Sequence, residues 1–259
     1  MTGTLALKIV LVPALIALIT LAGRRWGQGF AGWLGSFPIV AGPVLLILTL
    51  ENGSDFGAQA AQAAFAGIAP SMIFYVLYTR LATWVSWPFA TTLSLFGWFV
   101  AAATLLAWNA PLVVSGVVTA ISLYAAPRLM PPVTSVPARP AHRLELPARM
   151  LTGAAVTLAS SELGRLGGSS LSGFAALFPS IGMVVASFNH ARSSAAAATD
   201  FLRGMTRGMW SVATFCLALV FALPSLGLSA AFAVSIAVAA IAHAALRPRR
   251  EAPPPATGS

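Results

Sequence analysis

Gly23-Arg24-Arg25-Trp26-Gly27, followed by Gly32 and Phe37-Pro38, returns later in the chain as Gly164-Arg165-Leu166-Gly167-Gly168, Gly173 and Phe178-Pro179. Subtracting 23 from 164 gives a shift of 141, and the same shift pairs Gly67 with Gly208 and Phe74 with Phe215 without a gap. The spacing reads as an internal duplication. Nearly everything around these positions is apolar, so the repeated unit is expected to be a set of membrane-embedded helices.

Composition points the same way. Of 259 residues 58% are hydrophobic and 8% are charged, against roughly a quarter charged in an average soluble domain. The fold class expected is an all-α polytopic membrane protein. The 15 Lys and Arg against 6 Asp and Glu do not suggest a nucleic-acid partner, because such a binder gathers its cations on one solvated face and here they punctuate apolar runs. Cys216 is alone and lies inside such a run, so no disulfide framework or cysteine-based metal site is available. The first apolar segment lacks a convincing cleavage pattern and is read as a retained span.

A spanning helix needs about 20 apolar residues. That requirement picks out nine segments, approximately 4–22, 29–50, 57–79, 83–107, 110–127, 148–164, 170–189, 207–223 and 226–246. Trp108-Asn109-Ala110-Pro111 separates the fourth from the fifth as a turn cluster. The expected organisation is residues 1–108 as a first repeat of four helices, 109–130 as a connecting transmembrane helix, and 131–147 as a Pro-rich cytoplasmic linker. Residues 148–246 then form the second repeat, and 247–259 form a basic, Pro-rich tail expected to be disordered.

Short loops rich in Lys and Arg stay in the cytoplasm. With the N-terminus outside and the C-terminus cytoplasmic, the inner segments carry Arg24 and Arg25, Arg80, Arg128, Arg139 and Arg143, Arg192 and Arg203, and finally Arg247, Arg249 and Arg250. The outer loops carry Glu51, Asp55, Asn109, the pair Glu162 and Arg165, and Pro224. An odd connecting helix between two four-helix copies inverts one copy relative to the other. The chain is therefore expected to hold about nine transmembrane helices as two inverted four-helix repeats, a recurrent construction of secondary transporters whose sites lie near the midplane.

Pro38 and Pro179 each fall about nine residues into their segments, about 14 Å deep at about 1.5 Å per residue. Proline removes a backbone donor and displaces the carbonyl one turn earlier, leaving polar backbone that protein or water must satisfy. Phe37, Pro38, Phe178 and Pro179 are accordingly the leading substrate-site candidates, with Pro43, preceded by Gly42, as a second weak point in the first copy. The plainer alternative is a packing kink. Lys8 and Arg149 occupy equivalent places and are candidate anion-binding cations, although long cationic side chains near helix ends also snorkel to headgroups. Glu51, Asp55 and Glu162 either form an acidic outer vestibule or simply face water.

No charged residue is expected near the centre of a span, which disfavours proton coupling through a buried carboxylate. His190 and His243 sit near helix ends and read as interfacial. No spacing suits metal ligation or nucleophilic catalysis, so neither an enzyme nor a cofactor is expected. Ser71, Tyr75, Tyr78, Thr91, Ser94, Ser115, Thr119 and Tyr124 can bond substrate or neighbouring helices, the latter being the commoner use. Gly23 and Gly27, Gly164 and Gly168, and Gly204 and Gly208 are spaced for close packing.

The segment Gly173-Phe174-Ala175-Ala176-Leu177-Phe178-Pro179-Ser180, followed by Gly208-Met209-Trp210-Ser211, resembles the small GlpM-type bacterial membrane proteins. Gly32-Trp33-Leu34-Gly35-Ser36-Phe37-Pro38 looks like a diverged second copy, so the chain resembles a fused tandem of that family. The resemblance implies a bacterial inner-membrane location and an association with exopolysaccharide production, and it supplies no catalytic residue. Taken together, these features lead to the expectation of a permease or facilitator, in contact with the lipid bilayer, for a small or lipid-linked molecule. The alternative is a non-transporting accessory protein of envelope polysaccharide assembly.

Overall fold

The computed structural model describes residues 2–133, 144–165 and 167–247, without the side chains of residues 2–10, 161, 163 and 165. The described chain is helical, with eleven helices: α1 (Thr2–Trp26), α2 (Gln28–Gly35), α3 (Ala41–Asn52), α4 (Ser54–Leu81), α5 (Trp87–Trp108), α6 (Leu112–Leu129), α7 (Glu145–Arg165), α8 (Gly168–Ala176), α9 (Ser180–Arg192), α10 (Ala195–Leu226) and α11 (Leu228–Ala245). Among the described residues six stretches are long and apolar enough to cross a membrane: α4, α5, α6, the run Gly168–Arg192 that contains α8 and α9, α10 and α11. This is a multi-pass membrane protein by that measure.

The other three expected spans, in α1, α2 with α3, and α7, are not among the six. The physical reasons differ. Helices α2 and α3 are short, with 8 and 12 residues, and are separated by an irregular break. Helix α7 carries Glu145, Arg149, Glu162 and Arg165. The expected span 207–223 is too short as well: α10 runs for 32 residues from Ala195, about 48 Å at about 1.5 Å per residue. Ala195-Ala196-Ala197-Ala198 is strong helix-forming sequence, and Ser194 accepts a hydrogen bond from the Ala197 amide at 3.1 Å as its N-cap. Asp200, Arg203 and Arg207 interrupt the hydropathy of this helix but not its backbone. The last residues of the expected linker belong to α7, which begins at Glu145; residues 134–143 and the tail from 248 onward lie outside the described residues.

Helix starts recur along the chain. Helices α4 and α10 begin at Ser54 and Ala195, and α5 and α11 at Trp87 and Leu228, each pair 141 residues apart. Gly27 and Gly168, also 141 apart, both have positive φ, 92° and 55°, where the chain leaves one helix and enters the next. That backbone region is open to glycine at little cost.

Packing is exchanged between the two halves. Helix α2 lies on α10, and α8 lies on α4. A Cβ on Gly32 would collide with the Phe201 carbonyl of α10, and one on Gly173 with the Ala60 carbonyl of α4. These contacts are again offset by 141, since 173 less 32 and 201 less 60 both give that number. Farther along, Gly208 meets Ser36 and the Trp33 carbonyl, while Gly67 meets Leu177 and Phe174. Small residues let the backbones touch, as membrane helices require when no hydrophobic gradient drives them together.

One end of the bundle gathers the arginines. Arg80 Nε donates to the Leu129 carbonyl at 2.8 Å, and Arg203 donates to the carbonyls of Pro127, Met130 and Pro131 at 3.1, 3.1 and 2.7 Å. The amide of Gly29 donates to Asp200 at 2.8 Å, tying the start of α2 to the start of α10.

The glycine contacts yield a direct prediction. Gly32→Val and Gly173→Val should each lower the melting temperature of the detergent-solubilised protein, by an overpacking cost of about 1–3 kcal/mol. Gly116→Ala, whose Cβ would sit 3.9 Å from Phe65, should leave it unchanged. Equal melting of all three would contradict the close crossings.

Candidate functional site

Both Phe-Pro pairs interrupt a helix, and they do so with the same hydrogen bonds. In the first break the Ser36 and Phe37 amides donate to the Trp33 and Leu34 carbonyls at 3.3 and 3.4 Å, and Ile39 donates to Phe37 at 2.6 Å. In the second, Leu177 and Phe178 donate to Phe174 and Ala175 at 3.1 and 3.3 Å, and Ser180 donates to Phe178 at 2.7 Å. Bonds to the residue three before tighten the end of a helix and stop it. Each proline carbonyl then opens the next helix, Pro38 accepting from Gly42 at 2.8 Å and Pro179 from Met183 at 2.7 Å.

The two breaks face each other across one cavity of about 60 Å3, lined by Phe37, Pro38, Phe178 and Pro179 together with residues of α4 and α10. A water needs on the order of 10–15 Å3 of such space, so the cavity accommodates a few waters or one compact solute. Among the described residues no charged side chain lines it. The phenyl rings are held by the last helix of each half. Phe37 stands edge-on to His243 of α11 with centroids 5.2 Å apart, and Phe178 edge-on to Trp98 of α5 at 5.0 Å.

His243 lies in the last turn of α11, near the helix end as expected. It is buried, stacked on Trp33 at 4.2 Å, and its Nδ1 is 3.1 Å from the Ser211 hydroxyl. The indole Nε1 of Trp33 also donates to the His243 carbonyl at 3.2 Å. This aromatic cluster braces the first break from behind.

Pro43 is not a weak point. It occupies the third position of α3, in the first turn, where a proline's missing N–H removes no intrahelical bond. Lys8 lies in α1, and its side chain is outside the described residues. Arg149 lies away from the cavity, in a polar cluster near the arginine-rich end: it donates to Glu145 at 2.5 Å and to Asn189 Oδ1 at 2.9 Å, and Asn189 donates to Gln28 at 2.9 Å. Arg24 lies 3.7 Å from the other Glu145 oxygen. This cluster ties α1, α2, α7 and α9 together and pairs Arg149 with a carboxylate, while the buried Arg149 Nε has no hydrogen-bond partner among the described residues.

The polar residues divide by what they reach. Ser71 donates to the Leu177 carbonyl at 2.9 Å, so α4 satisfies backbone freed by the second break. Thr119 donates to the Phe65 carbonyl at 3.1 Å, and Thr91 shares a hydrogen bond with Ser187 at 2.9 Å. Tyr78 approaches His190 at 3.4 Å. Tyr124 is exposed beneath Arg128, whose guanidinium carbon lies 3.5 Å from its ring centroid. Tyr75 alone of this group lines the cavity, joined by Ser180, Met205 and Met209, which sequence reasoning did not single out. Only the position of Ser180 directly after Phe178-Pro179 hinted at its place.

Removing Arg149 leaves Glu145 with Arg24 as its remaining cation, 3.7 Å away. Arg149→Met should destabilise the protein by less than about 3–5 kcal/mol, the cost of a wholly unpaired buried charge, and adding Glu145→Leu should restore much of the loss. Thermal unfolding of the single and double variants measures this, and full stability of the single variant would contradict it.

Comparison with protein-family models, curated proteins and solved structures yields no match to this chain.

Proposed function

We propose that the chain is a permease of the facilitator type in a bacterial inner membrane, with its substrate site in the cavity between the two Phe-Pro breaks. The observation that carries this reading is the convergence of both breaks on one space. Two unrelated packing kinks would have no reason to face each other, whereas paired helix discontinuities at a shared cavity are how many carriers build a site.

Other observations support the architecture this reading assumes. The starts of helices recurring at 141 residues, the matching hydrogen bonds at the breaks and the exchanged glycine contacts all fit two duplicated halves. In this reading α1, the α2–α3 pair and α7 also cross the bilayer, giving nine passes with α6 as the unpaired one, and the halves are inverted. Arg24 of the first helix meeting Glu145 of α7 fits that inversion, since the end of one helix lies beside the start of its counterpart. The arginine-rich end would face the cytoplasm by the positive-inside tendency, leaving the N-terminus outside.

The lack of a charged side chain at the cavity favours downhill movement over ion-coupled pumping, which relies on titrating or ion-binding groups in the membrane. The size of the cavity favours a small solute and leaves no room for a lipid-linked one. A GlpM-like role as a non-transporting accessory or scaffold of envelope exopolysaccharide production is the reading that would replace this one if the cavity proved dry.

Cysteine-scanning in a Cys216→Ala background tests the proposal. Single cysteines at positions 36, 37, 39 to 42 and 177, 178, 180 to 183, probed from each side with a membrane-impermeant thiol reagent, should label at the cavity-lining positions and change sides with conditions. Controls at 52 and 137 should label from outside and inside. Cavity positions that stay unreactive from both sides while the controls label would leave the accessory reading in its place.

A further inference from the structure

Helices α3 and α9 both begin at the cavity, and neither start has a side-chain cap. The first amides of a helix have no intrahelical acceptor. Among the described residues, those of Val40, Ala41, Ile181 and Gly182 make no hydrogen bond, and all four residues line the cavity. Two hydroxyls join them. Tyr75 is 2% exposed and Ser180 6%, and neither hydroxyl has a hydrogen-bond partner among the described residues. The Tyr75 oxygen stands at the first turn of α9, where a Cβ on Gly182 would come within 2.9 Å of it.

The opposite helix ends offer much less. Helices α2 and α8 finish at the same cavity, but the carbonyls of Trp33, Leu34, Phe174 and Ala175 accept from backbone amides, and that of Leu177 accepts from Ser71. Gly35, Ser36 and Ala176 keep open carbonyls among the described residues. Four unpaired amides therefore meet three open carbonyls and two hydroxyls, which can donate or accept, and none of these groups bonds another among the described residues. Buried donors without acceptors are costly in apolar surroundings, and two helix starts add positive potential to the same space.

We infer that this cavity binds a small monovalent anion, of the size of a halide or nitrate, through the amides opening α3 and α9 and the hydroxyls of Tyr75 and Ser180. The inference rests on the permease reading and names its substrate class. Helix N-termini are ready anion sites, and about 60 Å3 has room for such an ion with a few waters. With no cation fixed in the wall, the ion is held by neutral donors alone, which permits release as readily as entry. A metal cation would find the open carbonyls and hydroxyl oxygens as ligands but would also face four unpaired amides and the positive ends of two helices.

The test uses the purified full chain in liposomes loaded with potassium chloride or potassium nitrate, with efflux followed by an ion-selective electrode after valinomycin addition. Glycerol entry, followed by light scattering, is the neutral comparison. Chloride or nitrate should leave well above the rate of protein-free vesicles. Tyr75→Phe and Ser180→Ala should each lower the flux at low anion concentration by roughly tenfold, the weight of one hydrogen bond to a charged group, while Tyr124→Phe should match the parent. Size-exclusion profiles and melting temperatures confirm that each variant is folded.

Cysteines at the cavity that label from water, combined with an absence of anion flux, would overturn the inference whether or not glycerol passes, and leave the permease reading standing. Folded Tyr75→Phe and Ser180→Ala proteins with unchanged anion flux would overturn it as well. Cavity cysteines that never label would remove the permease reading and this inference together.

Discussion

A backbone amide inside an apolar bundle must find an acceptor, and this requirement governs how the chain is arranged around its two helix breaks. Phe37-Pro38 and Phe178-Pro179 each end one helix with tightened turns and open another from the proline carbonyl. Much of the freed backbone is then satisfied locally or by Ser71 from the other half. The amides that remain, at the starts of α3 and α9, share one cavity. Unpaired donors are tolerated at membrane depth where they border water or a ligand, so the cavity and the breaks belong to one another.

Glycine brings the breaks face to face. Gly32 and Gly173 sit where α2 touches the α10 backbone and α8 touches the α4 backbone, with no space for a Cβ. Because α2 packs on α10 and α8 packs on α4, the ends of α2 and α8 arrive at the same cavity. Phe37 and Phe178 are then steadied by α11 and α5 in the same exchanged sense. The Arg149 cluster anchors α1, α2, α7 and α9 at one end, away from the cavity.

Much of this was legible in the sequence where it depended on local chemistry. A proline inside an apolar run can interrupt a helix, though Pro13 and Pro70 do not, and it was the shift of 141 that marked Pro38 and Pro179 together with the glycines beside them. What was not legible depended on orientation. Tyr75 looked like seven other uncharged polar residues until the packing of α4 placed its hydroxyl at the start of α9. Arg149 read as a candidate anion-binding cation because Glu145, four residues before it, lay in the expected linker rather than on the same helix, and because its contact with Asn189 spans 40 positions in the chain. Hydropathy cut α10 short at position 207, since Asp200 and Arg203 look like loop residues until Gly29 and the carbonyls after α6 are seen to receive them. Pro43 looked like a second break only because its place in the first turn of α3 was not visible.

The central claim is that the two breaks border a hydrated cavity, and the amides themselves report on it most directly. Hydrogen exchange of the full chain in lipid nanodiscs, resolved at Val40, Ala41, Ile181 and Gly182, should show fast exchange there while the interiors of α4 and α10 stay protected for far longer. Protection at these four amides equal to that of the long helices would mean that they are paired and the space is dry, and the account would be wrong.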